Sequence, residues 1–151
     1  FHSQVELAAP LAQLLLQSLD LGPDDRPDCV VPVPLAAGRL AERGYNQSWE
    51  LARRVARGLH VPAQATLLQR PLEGAHQALL TLRQRRANLR GAFYVSPTQQ
   101  AWVQGKRVAL VDDVMTSGAT LRAAAECLRR AGASRVEAWV LARTPGPARE
   151  H

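Results

Sequence analysis

The chain has 151 residues, 46% of them hydrophobic, which is enough for one ordinary domain with a buried core. Its apolar runs all fall short of the ~20 residues that cross a bilayer, and it has no P-loop, no nucleophile-elbow serine and no zinc-ligand spacing among His2, His60, His76 and His151. The net charge of +6 is nearly all arginine, with Lys106 the only lysine, and suits an anionic small substrate, nucleic acid, or both.

The chain opens on Phe1 with nothing that reads as a signal peptide. Cys29 and Cys127 read as buried thiols of a reducing compartment, which predicts a cytoplasmic protein. Ser3 and Glu6 have capping-box spacing and predict a helix from about Gln4. Val5, Leu7, Leu11, Leu14, Leu15 and Leu19 would form its apolar side, with Pro10 marking a kink or a fresh start. Gly22, Pro23 and Pro27 mark a loop. Residues 29–34 read as a strand, and Pro32 argues for a strand end or an edge.

Arg39 and Arg43 are spaced to share one helical face. A further helix is expected from about Gln47 to Arg57, stopped by Gly58, with Leu51, Ala52, Val55 and Ala56 inward and a Glu50–Arg54 pair outward. Residues 67–90 begin without periodicity and become basic at Arg83, Arg85, Arg86 and Arg90. Residues 92–95 read as a short strand and 96–100 as a turn. From Leu121, an inner stripe of Leu121, Ala124, Ala125 and Leu128 predicts a helix, with Arg122–Glu126 and Glu126–Arg130 pairs outside and Gly132 at its end. Residues 136–142 are another buried strand, and 143–151 a frayed tail. This alternation predicts a single α/β domain with a mainly parallel sheet, in which residues 108–142 are one right-handed βαβ unit.

Residues 108–121, VALVDDVMTSGATL, carry the chemistry. A valine-rich run reads as a buried strand of a parallel sheet, followed by Asp112 and Asp113, a loop of Thr and Ser around Gly118, and a helix. Backbone N–H groups and hydroxyls at a helix start suit a phosphate, and Gly118 lets the backbone come close to it. Adjacent carboxylates suit a sugar diol or a hydrated magnesium ion. Open α/β sheets bind ligands at this carboxyl edge. Phosphate on one side and diol on the other describe a ribose 5-phosphate. The bland alternative is a capped strand–loop–helix unit with two solvated acids.

The stretch resembles the phosphoribosyl pyrophosphate motif of type I phosphoribosyltransferases: an apolar strand, two acids, two loose positions, then Thr-(Thr/Ser)-Gly-x-Thr. A second stretch, VPVPLxxxRLxxRGYNQ over residues 31–47, is similar to the ComF branch of that fold, which is linked to bacterial competence. Arg70, Gln77, Leu80, Arg85, Asn88 and Gly91-Ala92-Phe93 keep the spacing of that branch's middle segment, with Gly74 where the family has Thr.

The resemblance implies a type I phosphoribosyltransferase fold, a mainly parallel twisted sheet flanked by helices with a mobile flap or hood. It implies that Thr116, Ser117, Gly118, Ala119 and Thr120 hold the 5′-phosphate. Asp112 and Asp113, the catalytic candidates, hold the ribose hydroxyls and position magnesium (Mg2+) through the ligand. Ala36, Ala37, Arg39 and Arg43 are the pyrophosphate-binding candidates, and Arg70, Gln77, Arg85 and Asn88 the flap candidates. The basic segment has two other readings, a solvated helix face or a nucleic-acid footprint with Trp102 and Tyr94 as stacking partners.

By the same resemblance, the protein transfers a phosphoribosyl group from phosphoribosyl pyrophosphate to a nitrogen acceptor that the residues do not specify. Thr116 stands where purine-salvage relatives carry the Asp base, which argues against purine acceptors or for a base elsewhere, such as Glu73 or His76. The rival reading is a non-catalytic competence factor that binds single-stranded DNA or a competence protein, with the phosphate loop as a regulatory site. Family members often pair, so a homodimer is compatible with either reading.

Overall fold

The computed structural model describes residues 2–35, 46–70, 93–115 and 118–143. Helix α1 spans His2–Ser18, strand β1 Cys29–Pro32, helix α2 Gln47–Leu59, helix α3 Pro97–Val103, strand β2 Arg107–Met115, helix α4 Ala119–Arg130 and strand β3 Arg135–Arg143. The three strands are parallel in the order β1-β2-β3, with Val31 opposite Leu110 and Val111 opposite Trp139. This is the α/β architecture the alternation predicts.

Each face of the sheet buries its own core. Val31, Val108 and Leu110 face α4 through Leu121, Ala124 and Leu128. Val30, Ala109, Val111 and Trp139 face α2 and α1 through Leu51, Ala52, Val55, Ala12 and Leu15. Burial on both sides explains why β1 and β2 read as continuous apolar runs instead of alternating ones; β3, expected to be a buried strand, buries only Trp139 among residues 136–141. The Cys29 thiol lies in the first core and is pushed up to about 12, by burial first and then by Asp28, against Lys106.

The two helices leave the sheet in opposite directions. After β1 the chain passes through α2 and returns on the outer side of β1, where Ala63 makes a parallel bridge to Val30. There the Val30 N–H donates to Pro62 at 3.0 Å and the Gln64 N–H donates to Val30 at 2.9 Å. After β2 the chain passes through α4 on the other face and returns on the far side as β3. The strand order therefore reverses between β1 and β2. A crevice opens at the carboxyl ends of strands where such a reversal falls. The opposite edge is tied: the Asp28 N–H donates to the Arg107 carbonyl at 2.8 Å, and the Arg107 N–H donates to Oδ2 of Asp28 at 2.8 Å.

Several expectations need correction. Helix α1 runs through Pro10 as one element, starting at His2. The carbonyl that Pro10 cannot bond belongs to Glu6, an exposed residue, so water can serve it. Its inward stripe is Ala8, Ala12 and Leu15, while Leu7 and Leu14 are 53% and 57% exposed. The small alanines let α1 lie close to α2. Gly58 does not stop α2, which ends at His60 in the left-handed region. A Cβ on Gly58 would sit 2.5 Å from Cδ1 of Leu16, so this glycine makes room for α1.

The expected turn at 96–100 is the start of α3, capped by Ser96 with Pro97 in its first turn. The expected strand at 92–95 is one antiparallel bridge, Tyr94 with Gln69. Strand β2 extends past the apolar run to include Asp112 and Asp113, because β3 stays in register alongside it as far as Met115.

Asn46 couples the sheet to α2. Its Oδ1 accepts from the Ser48 N–H at 2.9 Å and the Trp49 N–H at 3.4 Å, and its Nδ2 donates to the Val33 carbonyl at 3.3 Å. Asn46→Ala removes both the cap and the tie. It is expected to cost about 1–2 kcal/mol in denaturant unfolding, and Asn46→Asp, which keeps the cap, less than half of that.

Candidate functional site

Both halves of the site stand on the carboxyl edge where the strand order reverses. On one side β1 ends and Val33 makes a last bond to Val111 at 2.9 Å. Beyond it α2 begins, with Ser48 in its first turn. On the other side β2 ends in the acidic pair and α4 begins after Gly118. Gly118 has φ 80°, a left-handed conformation that costs a glycine nothing and a β-branched residue a great deal. Ala119 and Thr120 follow it, exposed, at the start of α4. Thr116 and Ser117 lie outside the described residues.

The acidic pair is half-buried. One oxygen of Asp112, Oδ1, accepts two hydrogen bonds, from the Ser48 hydroxyl at 3.0 Å and from the Asp113 N–H at 2.9 Å. The Asp112 carboxyl is raised to about 6, by burial first and then by the Asp113 carboxyl beside it, while the Ser48 hydroxyl pulls the other way. Two carboxyls this close repel when both are ionised, and added positive charge or hydrogen-bond donors relieve that repulsion. Oxygen donors with that need fit the hydroxyls of a diol and, through them, a hard hydrated cation. Among the described residues no group of three or more His, Cys, Asp or Glu side chains could hold a metal by itself.

Arg70 reaches the same edge. Its Nε donates to the Pro34 carbonyl at 2.8 Å, and its guanidinium lies 4.7 Å from the Phe93 ring centroid. The other flap candidates, Gln77, Arg85 and Asn88, lie outside the described residues, as do Glu73, His76 and the pyrophosphate candidates Ala36, Ala37, Arg39 and Arg43. Of the two stacking candidates, Tyr94 donates its hydroxyl to Oε1 of Gln69 at 2.9 Å, and Trp102 carries the Lys106 ammonium 4.8 Å from its ring.

Ser48 escaped the sequence reading. The signal was there: Ser48 precedes Leu51, Ala52 and Val55 at helical spacing, a hydroxyl on an otherwise apolar inward stripe.

The phosphoribosyl transferase domain model matches residues 46–151 of the 151-residue chain. The chain belongs to the phosphoribosyl transferase domain family. Within it, the chain is a homologue of competence and DNA utilization proteins. It is 37% identical over 117 residues to Competence protein F of Haemophilus influenzae, covering 78% of this chain and 51% of that protein. It is also 37% identical over 153 aligned positions to DNA utilization protein YhgH of Escherichia coli K12, covering 95% of this chain and 63% of that protein. The chain thus spans between half and two-thirds of the length of these relatives.

Among solved structures, the glutamine phosphoribosylpyrophosphate amidotransferase of B. subtilis, complexed with ADP and GMP, matches with a TM-score of 0.62 at 22% identity. That match covers 91% of this chain and 26% of that one, and it shows the type I phosphoribosyltransferase fold. Among the described residues no helix is long and apolar enough to cross a membrane.

The Asp112 carboxyl gives a stability prediction. Because its folded value is raised from 3.8 to about 6, its contribution is complete below its ordinary value and is lost as pH rises through about 6. Asp112→Asn keeps an acceptor for Ser48 and removes the repulsion. At about pH 7.5 it is expected to be more stable than the parent by about 1 kcal/mol, allowing for solvent screening. That is a melting temperature higher by about 2–4 °C, and the difference should vanish near about pH 4.

Proposed function

We propose that the protein binds phosphoribosyl pyrophosphate with magnesium and transfers its phosphoribosyl group to a nitrogen nucleophile, releasing pyrophosphate. The observation that carries this reading is the position of the Asp112–Asp113 pair. It stands half-buried at the carboxyl edge, at the point of strand-order reversal, a few positions before the left-handed Gly118 that opens α4. Family membership supports the same chemistry.

In this reading the start of α4, with Gly118 to Thr120 and the preceding Thr116 and Ser117, holds the 5′-phosphate through backbone N–H groups and hydroxyls. Asp112 and Asp113 accept hydrogen bonds from the ribose 2′- and 3′-hydroxyls and so fix the ring. Magnesium, bound through the ligand near these acids, offsets the charge of the pyrophosphate. The C1′–O bond to pyrophosphate breaks and a C1′–N bond forms. The nitrogen's proton goes to a base, for which Glu73 and His76 are the candidates. The ring passes through a cationic state, and the two nearby carboxylates stabilise charge where it develops. Arg39 and Arg43 are proposed to meet the departing pyrophosphate, and Ala36 and Ala37 to give it backbone contacts. Arg70, Gln77, Arg85 and Asn88 would form the cover.

A second reading is favoured by the relatives' names, which speak of competence and DNA utilization. There the phosphate loop holds a regulatory ligand, and the arginines meet single-stranded DNA or a competence partner. Salt separates the two. DNA affinity falls steeply with salt, with a slope set by the number of phosphates neutralised, whereas ligand binding needs magnesium.

Calorimetry with phosphoribosyl pyrophosphate tests the first reading. Heat is expected with magnesium, little without it, and weaker binding as pH falls through about 6, where Asp112 takes up its proton. No heat with magnesium present removes this reading. Gly118→Val should weaken binding at least about tenfold, with the circular dichroism of the parent retained, because valine cannot relax at φ 80°. Parent-like affinity in that variant would show that the phosphate lies elsewhere.

A further inference from the structure

Among the described residues, Ser48 is the single polar side chain in the buried class, 3% exposed. It lies on the inward stripe of α2, where alanine or leucine would pack without needing a partner. Its hydroxyl is not used to cap its own helix, since Asn46 already accepts from the Ser48 and Trp49 N–H groups. The hydroxyl instead donates at 3.0 Å to Oδ1 of Asp112, 64 positions away in the chain and on the other side of the crevice. The strand pattern assigns Asp112 to the α4 face with Val108 and Leu110, so this bond reaches past the last pairing of β1 to a helix on the opposite face. A polar group placed against the local pattern, with all its hydrogen bonding directed at one acid, marks a functional constraint more than a packing one.

We infer that Ser48 is a positioning residue: its hydroxyl anchors one oxygen of Asp112, so that the carboxylate meets the ribose hydroxyls in one fixed orientation. The inference rests on the phosphoribosyl pyrophosphate reading and names a residue that reading lacks.

The anchoring has a direct physical basis. Oδ1 takes both the Ser48 hydroxyl and the Asp113 N–H, which restricts the carboxylate's rotation about its last bond. Around Asp112, Asp113 is a like charge on the same strand and Val140 is opposite it on β3; on α2, Arg53 and Arg54 are both bound to Glu50. A carboxylate left to rotate must be ordered again when ligand arrives, and that cost appears as lost affinity.

The test measures phosphoribosyl pyrophosphate affinity with magnesium by calorimetry in the parent, Ser48→Ala and Ser48→Thr. Ser48→Ala is expected to bind about tenfold more weakly, the effect of losing one hydrogen bond to a charged group. Ser48→Thr, which keeps the hydroxyl, should stay within about threefold of the parent. If Ser48→Ala does not fold, Ser48→Cys replaces it; the thiol has nearly the same shape and is a poor donor, so it too should lose affinity. Equal losses in the alanine and threonine variants would mean that side-chain volume, not the hydroxyl, sets the site, and would overturn the inference. So would parent-like affinity in Ser48→Ala. A parent that binds no phosphoribosyl pyrophosphate would instead remove the reading beneath it.

Discussion

The structure depends on one piece of topology, the parallel pairing of β1 with β2 while their following helices depart to opposite faces. Two parallel strands side by side would ordinarily be roofed at their carboxyl ends by the helices that follow them. Here α2 and α4 start from the same edge and move away from each other. The space between their first turns is the one place where the sheet offers polar backbone, two helix starts and a pair of acids together. The described residues proposed for chemistry stand on that edge: Ser48, Arg70, Asp112, Asp113 and Gly118 to Thr120.

Burial and charge then act against each other within the acidic pair. The cores beneath it are dry and apolar, with Val111 and Leu110 fully enclosed just before Asp112. A carboxylate set on such a base loses hydration and gains a like neighbour, which is why Asp112 resists ionisation. Ser48 and the Asp113 N–H offset part of that cost.

β1 and β2 were legible in the sequence as continuous apolar runs, and helices α2 and α4 by their strong periodicity, because burial follows both patterns. The inward stripes of α2 and α4 are buried residue for residue. Errors cluster where one residue type has two physical uses. Gly58 reads as a helix stop but serves close packing against Leu16. Pro97 after Ser96 reads as a turn but opens a helix, and the capping Ser96 with Gln99 three positions on was the overlooked clue. Leu7 and Leu14 read as core because hydropathy does not reveal that alanine lets helices approach more closely. At the site, the acids and Gly118 were visible because the motif's spacing is specific. Ser48 was not, because its partner is distant in the chain and only the folded sheet brings them together.

The tie between Asp28 and Arg107 has a wider meaning. It sews the strands together at their amino ends, helped by the Ser134 N–H donating to Lys106 at 2.9 Å, while the acidic pair stands at their carboxyl ends. Segments at the carboxyl ends can therefore change in length or composition while the paired strands and their tied amino ends keep the register. Diversity of chemistry and constancy of frame are kept at opposite ends of the same few strands.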